Sequence, residues 1–145
     1  SGSVYVYDAN DLSAQPTKLT AFDGASRDYF GYSVAVTTDK IVVGAFLDDD
    51  KGSSSGSVYV YDANDLSATP TKLTAFDGAD RDWFSRPVAA AFDTIVVSAY
   101  GNDDNGDASG SVYVYDANDL SATPTKLTAF DGGEYDQFGE SVAVG

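Results

Sequence analysis

The sequence contains no cysteine and no histidine, and each absence removes a class of function. Without cysteine there is no disulfide framework, no thiol nucleophile and no thiolate metal site. Without histidine there is no serine–histidine triad and no zinc site built on imidazole. Basic residues are also scarce, with 8 Lys and Arg against 23 Asp and Glu, and the net charge is −15. Nucleic-acid binding needs a basic surface, so this charge argues against it.

Long apolar runs are missing as well, and none approaches the roughly 18–20 residues of a membrane-spanning helix. The 145 residues are nevertheless 43% hydrophobic and 13% aromatic, which is too apolar for a disordered acidic tail. All acidic residues except Glu134 and Glu140 are aspartates. Asp favours turns and Glu favours helices. Together with the Val, Tyr, Phe, Thr and Gly content, this predicts an all-β protein with many turns.

The chain repeats itself every 54 residues. The octapeptide Ser-Gly-Ser-Val-Tyr-Val-Tyr-Asp occurs at 1–8, 55–62 and 109–116. Between residues 1–24 and 55–78 only Gln15 and Thr69 differ. Such near-identity indicates recent duplication or design. It also favours a structural unit, because a catalytic centre rarely occurs three times in one chain.

Each unit carries four strand signals. Counted from Phe30, they are Ser33–Val36, Ile41–Ala45, Ser57–Tyr61 and Thr71–Phe76. Strands of about five residues joined by short turns favour an antiparallel meander. The third strand is apolar on both faces, which predicts a sheet covered on both sides.

A small four-stranded sheet between two neighbours is typical of a β-propeller blade, and the period is near the roughly 40–50 residues of propeller repeats. A β-solenoid is the alternative, but its coils are usually much shorter. The expected divisions are a partial blade over 1–29, blades over 30–83 and 84–137, and the first strand of a further blade over 138–145. These divisions hold two, four, four and one strands, and the eleven strands are expected to form an incomplete ring in this chain. We therefore expect Tyr5, Tyr7 and Ser141–Val144 to face other protein.

The order of four elements within a unit resembles the FG-GAP repeat. These elements are Phe30-Gly31, Ser33–Val36, Ile41–Ala45 and Gly56–Tyr61. That repeat builds the β-propeller of integrin α subunits and of many bacterial and algal surface proteins. The second unit departs from the pattern with Phe84-Ser85, Pro87 and Ser98-Ala99. The resemblance implies an extracellular or cell-surface module for adhesion or recognition, often carrying calcium.

The acidic loops between second and third strands are the candidate calcium sites. Integrin-type blades hold calcium between the first and second strands, but that connection is only Thr37–Lys40 here and is too short. Calcium takes six to eight oxygens, and clustered carboxylates on a glycine-bent loop can supply several. A solvated acidic turn is the alternative interpretation. The predicted ligands are Asp48, Asp49, Asp50, Asn102, Asp103, Asp104, Asn105 and Asp107.

Other recurring residues have structural interpretations. The aspartates two residues before each repeated Phe should accept backbone N–H groups at a turn. Asp8 and Asp11 should cap the turn after the third strand. The aromatic side chains should pack between blades, with Trp83 replacing Tyr29 at one packing position. The recurring aspartates are Asp28, Asp82 and Asp136, and the aromatics are Tyr5, Tyr7, Phe22, Phe76 and Phe130.

The sequence therefore predicts a non-enzymatic extracellular propeller module for adhesion or structural assembly. Calcium bound in the acidic loops would stabilise this module. Its expected partners are other copies or further repeats of the chain, or an extracellular glycan. A lectin-like, ligand-binding propeller is the main alternative. A glycosidase with paired aspartates comes third, because the acids recur as a turn pattern and no Glu lies in the repeated segments.

Overall fold

The computed structural model describes residues 2–145, and these residues form an all-β protein. Within that range no helix is long and apolar enough to cross a membrane. The strands are β1 (Val4–Val6), β2 (Thr17–Leu19), β3 (Ser33–Val36), β4 (Lys40–Ala45), β5 (Ser57–Asp62), β6 (Thr71–Leu73), β7 (Val88–Ala91), β8 (Thr94–Ala99), β9 (Ser111–Asp116) and β10 (Thr125–Leu127).

The strands form three antiparallel sheets. Sheet 1 is β1-β2, sheet 2 is β3-β4-β5-β6 and sheet 3 is β7-β8-β9-β10. The register is the same in the two larger sheets, since Val43 pairs with Tyr59 in sheet 2 and Val97 pairs with Tyr113 in sheet 3. The sequence-based prediction of an all-β antiparallel meander is confirmed.

Two predicted strands differ from those observed. The fourth strand of sheet 2 ends at Leu73 instead of Phe76. Phe76 leaves the ladder and packs edge-on against Tyr113 of the next sheet, with ring centroids 5.8 Å apart. No strand is present over residues 141–144, where the pattern predicts one. The equivalent strand β7 pairs with β8, and the sequence contains no third copy of that Ile-Val-Val strand.

The core lies between the sheets and is built twice from equivalent residues. The valine face of sheet 2 packs against the tyrosine face of sheet 3, and sheet 1 packs in the same way against sheet 2. Phe84 is fully buried in the second interface and Phe30 is 3% exposed in the first. Each such buried aromatic contributes about 1.5–3 kcal/mol, so the inter-sheet contacts are a main source of stability.

The chain segment before sheet 3 also holds a loop of sheet 2. Backbone N–H groups of residues 81–84 donate three hydrogen bonds to the carbonyls of residues 53–55, at 2.8–3.2 Å. Gly56 allows this close approach, because a Cβ there would lie 2.1 Å from the Phe84 carbonyl oxygen. Its φ of +88° also favours glycine. Successive sheets are therefore joined by backbone as well as by side chains.

Sheet 3 contains two substitutions at this junction. Ser85 and Ser98 stand where the preceding unit has Gly31 and Gly44. Within residues 2–145 both hydroxyls are buried without a hydrogen-bond partner. Ser85 in addition has a φ of +84°, which is unfavourable for a residue with a side chain. This unit is therefore strained where it departs from the glycine pattern.

Candidate functional site

The first acidic loop connects β4 to β5 and is closed by its own carboxylates. Asp48 is 4% exposed, and its Oδ1 accepts the hydroxyl of Ser57 at 2.8 Å and the backbone N–H of Asp50 at 3.2 Å. Asp49 Oδ1 accepts the N–H of Ser54 at 2.6 Å. These bonds fix the turn, and the other Asp48 oxygen accepts hydrogen bonds from Lys72 and from the Tyr59 hydroxyl.

The second acidic loop connects β8 to β9 and has the same scaffold. Asn102 replaces Asp48, and its Oδ1 accepts the hydroxyl of Ser111 at 2.7 Å. Asp103 Oδ1 accepts the N–H of Ala108 at 2.7 Å, as Asp49 does in the first loop. The two loops therefore share a backbone conformation, although their charges differ.

A lysine from the fourth strand contacts the carboxylates of the first loop. Lys72 Nζ lies 2.6 Å from Asp50, 3.2 Å from Asp48 and 2.6 Å from Asp23 of sheet 1. The hydroxyl of Tyr59 donates to Asp23 at 2.6 Å. We name these five residues the first lysine junction. Because it joins a loop of sheet 2 to the end of sheet 1, it links two units.

The second lysine junction repeats this arrangement one unit later. Lys126 Nζ contacts Asp77 at 2.5 Å and also Asp104. The hydroxyl of Tyr113 donates to Asp77 at 2.6 Å. Within residues 2–145 the equivalent Lys18 forms no ion pair, and it lies over the Tyr5 ring at 5.8 Å.

The junctions change the protonation properties of their members. Burial alone would raise the pKa of Asp23 and of Asp77, but hydrogen bonds from the lysine and the tyrosine outweigh it and lower both values. Burial also opposes the charge of Lys72, yet its hydrogen bonds to the carboxylates raise its pKa. Burial and the bond to Asp23 raise the pKa of Tyr59. The lysine is thus charged and the tyrosine neutral at pH 7.

The predicted calcium ligands are distributed over several partners. Asp48, Asp50 and Asp104 face a lysine, whereas Asp49 and Asp103 accept backbone N–H groups. Asp107 instead accepts the hydroxyl of Tyr135, and Asn105 donates its backbone N–H to Ser109. Among residues 2–145, no three acidic side chains are arranged to hold a metal ion. The loops therefore fit a lysine ammonium, and calcium binding stays a prediction.

Sequence reasoning missed the lysines and their partners Asp23 and Asp77. Lys72 and Asp23 are 49 residues apart, and no local spacing indicates such a contact. One signal was available. Each unit places one lysine at the same position of its fourth strand, in a chain where basic residues are scarce.

The structural interpretations of the other aspartates are confirmed. Asp28, Asp82 and Asp136 each accept the backbone N–H three residues earlier, at 2.5–3.0 Å. Asp8 accepts the N–H of Asn10 at 2.8 Å, and Asp11 accepts that of Ser13 at 3.1 Å. These carboxylates build turns. Burial raises the pKa of Asp82 despite the bonds from Ala79 and Asn102.

The predicted aromatic packing is confirmed at the two complete interfaces. Phe22 packs edge-on against Tyr59 at 5.9 Å, as Phe76 does against Tyr113. The rings of Trp83 and Tyr100 pack at a tilt of 45° with centroids 5.2 Å apart, and those of the equivalent Tyr29 and Phe46 pack at 49° and 5.5 Å. Tyr5, Tyr7 and Phe130 belong to the same pattern but are 53%, 57% and 99% exposed.

An open cleft of about 520 Å³ lies beside the second acidic loop. Trp83 contributes an aromatic surface, and carboxylate, guanidinium and amide groups surround it. This mixture of an aromatic plane and polar groups is suited to a small polar ligand. The lining includes Asp80, Arg81, Trp83, Asp107, Tyr135 and Gln137.

Comparison with known families agrees with this repeated geometry. The FG-GAP repeat model matches residues 14–61 and 69–115, which together cover more than half of the chain. The chain belongs to the FG-GAP repeat family. Each matched FG-GAP segment begins two or three residues before the fourth strand of one repeat unit (β2 or β6) and ends in the third strand of the next unit (β5 or β9). Each matched segment therefore contains the connection from one sheet to the next. No curated protein shows significant similarity to the chain.

Proposed function

We propose that the chain is a non-enzymatic FG-GAP module of a β-propeller, acting outside the cell or at its surface in adhesion or structural assembly. The observation that carries this proposal is the inter-sheet interface, which forms twice with the same geometry. The ring centroids of Phe30 and Tyr59 are 5.3 Å apart, and those of Phe84 and Tyr113 are also 5.3 Å apart. Proteins that repeat one interface build extended surfaces by stacking units.

The positions of the first strands support a propeller. β3 and β7 are neighbours, although they belong to different sheets. The backbone N–H of Val88 in β7 donates to the hydroxyl of Ser33 in β3 at 2.9 Å. In a propeller, the first strands of the blades surround the central axis. The extracellular role rests on the resemblance to integrin-type propellers.

Glycan binding at the Trp83 cleft is the second candidate function. The cleft combines the chain's only tryptophan with carboxylates and an arginine. An aromatic ring can pack on the C–H face of a sugar while the polar groups beside it bind the sugar hydroxyls. The proposal predicts that a bound saccharide changes the Trp83 fluorescence.

A glycan array probed with and without calcium tests both candidates. Binding that Trp83→Ala abolishes supports the lectin-like function. Trp83→Tyr is the matched control, because Tyr29 occupies the equivalent position in the preceding unit. Absence of glycan binding together with binding to matrix protein favours the adhesion function. Turnover in a glycoside hydrolase screen would contradict the non-enzymatic proposal.

Calcium is part of the proposal in a restricted form. An ion at the first loop must compete with Lys72 for Asp48 and Asp50, so we expect an affinity no tighter than the roughly millimolar range of extracellular modules. With a dissociation constant of about 1 mM, 10 mM calcium would stabilise the fold by about 1.4 kcal/mol. Melting curves in calcium and in chelator measure this. Identical curves would end the calcium proposal, and asparagine at Asp103, Asp104 and Asp107 should abolish any shift at the second loop.

A further inference from the structure

The Trp83 cleft has the opposite charge to the equivalent surface of the preceding unit. Its lining contains three aspartates and one arginine, a formal charge of −2. The counterparts of these residues 54 positions earlier contain one aspartate and two arginines, a formal charge of +1. Three substitutions cause the change: Asp80 stands at the position of Ser26, Asp107 at that of Ser53 and Tyr135 at that of Arg81.

The carboxylates of the cleft have no cationic partner. Among residues 2–145, Asp80, Asp103 and Asp107 form no ion pair, and Arg81 forms none either. Asp80 uses one oxygen to accept the backbone N–H of Ser53 at 2.9 Å, and Asp103 uses one for its own loop. Because the second oxygen of each accepts no hydrogen bond within that range, it is available to a ligand.

The Trp83 ring lies directly against the backbone at Gly101. A Cβ at Gly101 would be 2.8 Å from Cε3 of the ring, so a side chain there would displace it. The preceding unit has Leu47 at this position and the smaller Tyr29 as its aromatic residue. The glycine thus makes room for tryptophan, which is the aromatic side chain that attracts a cation most strongly.

The protein already binds two ammonium groups with an aromatic ring and loop carboxylates. The lysine ammonium lies over a tyrosine ring at 5.2 Å in the first lysine junction and at 5.3 Å in the second. It also contacts an aspartate of the adjacent acidic loop, which in the second junction is Asp104. Asp103 and Asp107 belong to the same loop and stand beside Trp83. The cleft therefore offers the groups of a lysine junction to a cation from outside.

We infer that the Trp83 cleft binds a saccharide with a free ammonium group, which is an amino sugar whose amine is not acylated. The C–H face of the sugar ring packs on Trp83, and the ammonium pairs with the unpaired carboxylates. The inference rests on glycan binding as the second candidate function and names its substrate class. A neutral sugar lacks the ionic contact, and an acidic sugar meets like charge.

A matched set of monosaccharides tests the inference. Glucosamine, N-acetylglucosamine, glucose and glucuronate share one ring type and differ in charge. Each is titrated at pH 6, where the amine is protonated, and binding is followed by the fluorescence of Trp83, the chain's only tryptophan. Glucosamine should bind about tenfold more tightly than the two neutral sugars, and glucuronate should bind most weakly. Salt should reduce the preference, because the carboxylates are at the surface.

Two variants locate the ammonium group. Asp107→Asn keeps the shape of the side chain but removes its charge, so glucosamine binding should weaken about threefold while glucose binding stays unchanged. Tyr135→Arg supplies the cation that the preceding unit has as Arg81, so the preference for glucosamine should disappear. Asp93→Asn is the matched control, since it removes the same charge from an exposed turn at the opposite end of β8. All three positions are exposed, and melting curves verify that the variants fold.

Each alternative result has a distinct meaning. Equal binding of glucosamine and glucose would overturn the inference and leave glycan binding intact as a function. A preference that neither Asp107→Asn nor Tyr135→Arg changes would also overturn it. Lysine amide that binds as tightly as glucosamine would overturn the assignment to a sugar. If none of the four sugars binds, the inference fails, and the glycan array decides separately whether the cleft binds any glycan.

Discussion

Replacing Lys72 by methionine tests how strongly the first lysine junction stabilises the contact between sheets. Methionine keeps most of the aliphatic length but removes an ammonium that lies within 2.6–3.2 Å of three carboxylates. The side chain of Asp48 is 6% exposed, so it loses its nearest counter-charge while buried. Breaking a buried pair costs about 3–5 kcal/mol and an exposed pair about 0.2–1 kcal/mol. Since Asp23 and Asp50 are partly exposed, we expect a loss of about 2–3 kcal/mol.

Urea unfolding at pH 7 measures this loss, and Lys51→Met provides the control. Lys51 lies in the same loop, is exposed and forms no ion pair in the described range. Its replacement removes the same charge, so any effect of net charge appears in both variants. We expect Lys51→Met to change the free energy of unfolding by less than about 0.5 kcal/mol. For a chain of this size, Lys72→Met should lower the melting temperature by roughly 4–12 °C.

The pH dependence separates the charge effect from a packing effect. The pKa of Asp23 is lowered in the folded protein, so its stabilising contribution is present above the unfolded pKa of about 3.9 and is lost as pH falls through the folded value. The difference between wild type and Lys72→Met should therefore be full at pH 5–7 and shrink below about pH 4. A difference below about 0.5 kcal/mol at pH 7, or one that does not shrink as the pH falls below 4, would refute the reasoning.

Three further predictions concern packing and surface charge. Gly56→Ala should lower the free energy of unfolding in urea by about 3 kcal/mol or more, because the new Cβ meets the Phe84 carbonyl. Gly133→Ala is the control, since its Cβ meets only a side-chain oxygen at 3.8 Å. Equal losses in the two variants would contradict this prediction. Ser85→Gly should raise the free energy of unfolding by about 1 kcal/mol, since it removes a partnerless buried hydroxyl and a strained φ; a loss would show that this hydroxyl is satisfied. Because the net charge is −15, moderate salt should raise the melting temperature at pH 7, and a flat salt profile would indicate well-separated charges.

Strand positions were predictable because they depend on local pattern. Alternating apolar residues between Asp, Gly and Pro turns indicate strands, and β3, β4 and β5 lie within one residue of the expected bounds. The fourth strand was predicted three residues too long, because Thr74-Ala75-Phe76 has strand propensity of its own. The strand ends at Leu73 because Phe76 packs against Tyr113 of the next sheet and does not continue the ladder. Such a contact is not encoded in the strand pattern.

The acidic loops were recognised as unusual, but their contacts were not. Clustered aspartates indicated a cation, and the structure supplies one as Lys72 from the neighbouring strand. Asp103 and Asp107 were both predicted as calcium ligands. Asp103 accepts the backbone N–H of Ala108 at 2.7 Å instead, because an aspartate in a tight turn readily bonds to the backbone of its own loop. Short-range spacing does not determine that choice.

The equivalence of successive interfaces has a consequence for how such a gene changes in length. A tandem duplication of 54 residues adds at once a Phe-Asp pair for the interface with the following sheet and a tyrosine and lysine for the interface with the preceding one, so the new unit fits both of its neighbours without any compensating substitution. The backbone bonds to residues 53–55 tolerate this too, because Gly56 recurs as Gly110 in the next copy. Loss of a whole unit by recombination is equally harmless to the contacts that remain. Selection can therefore tune the number of units independently of their sequence, and near-identical copies are what a lineage that changes its unit number often would contain.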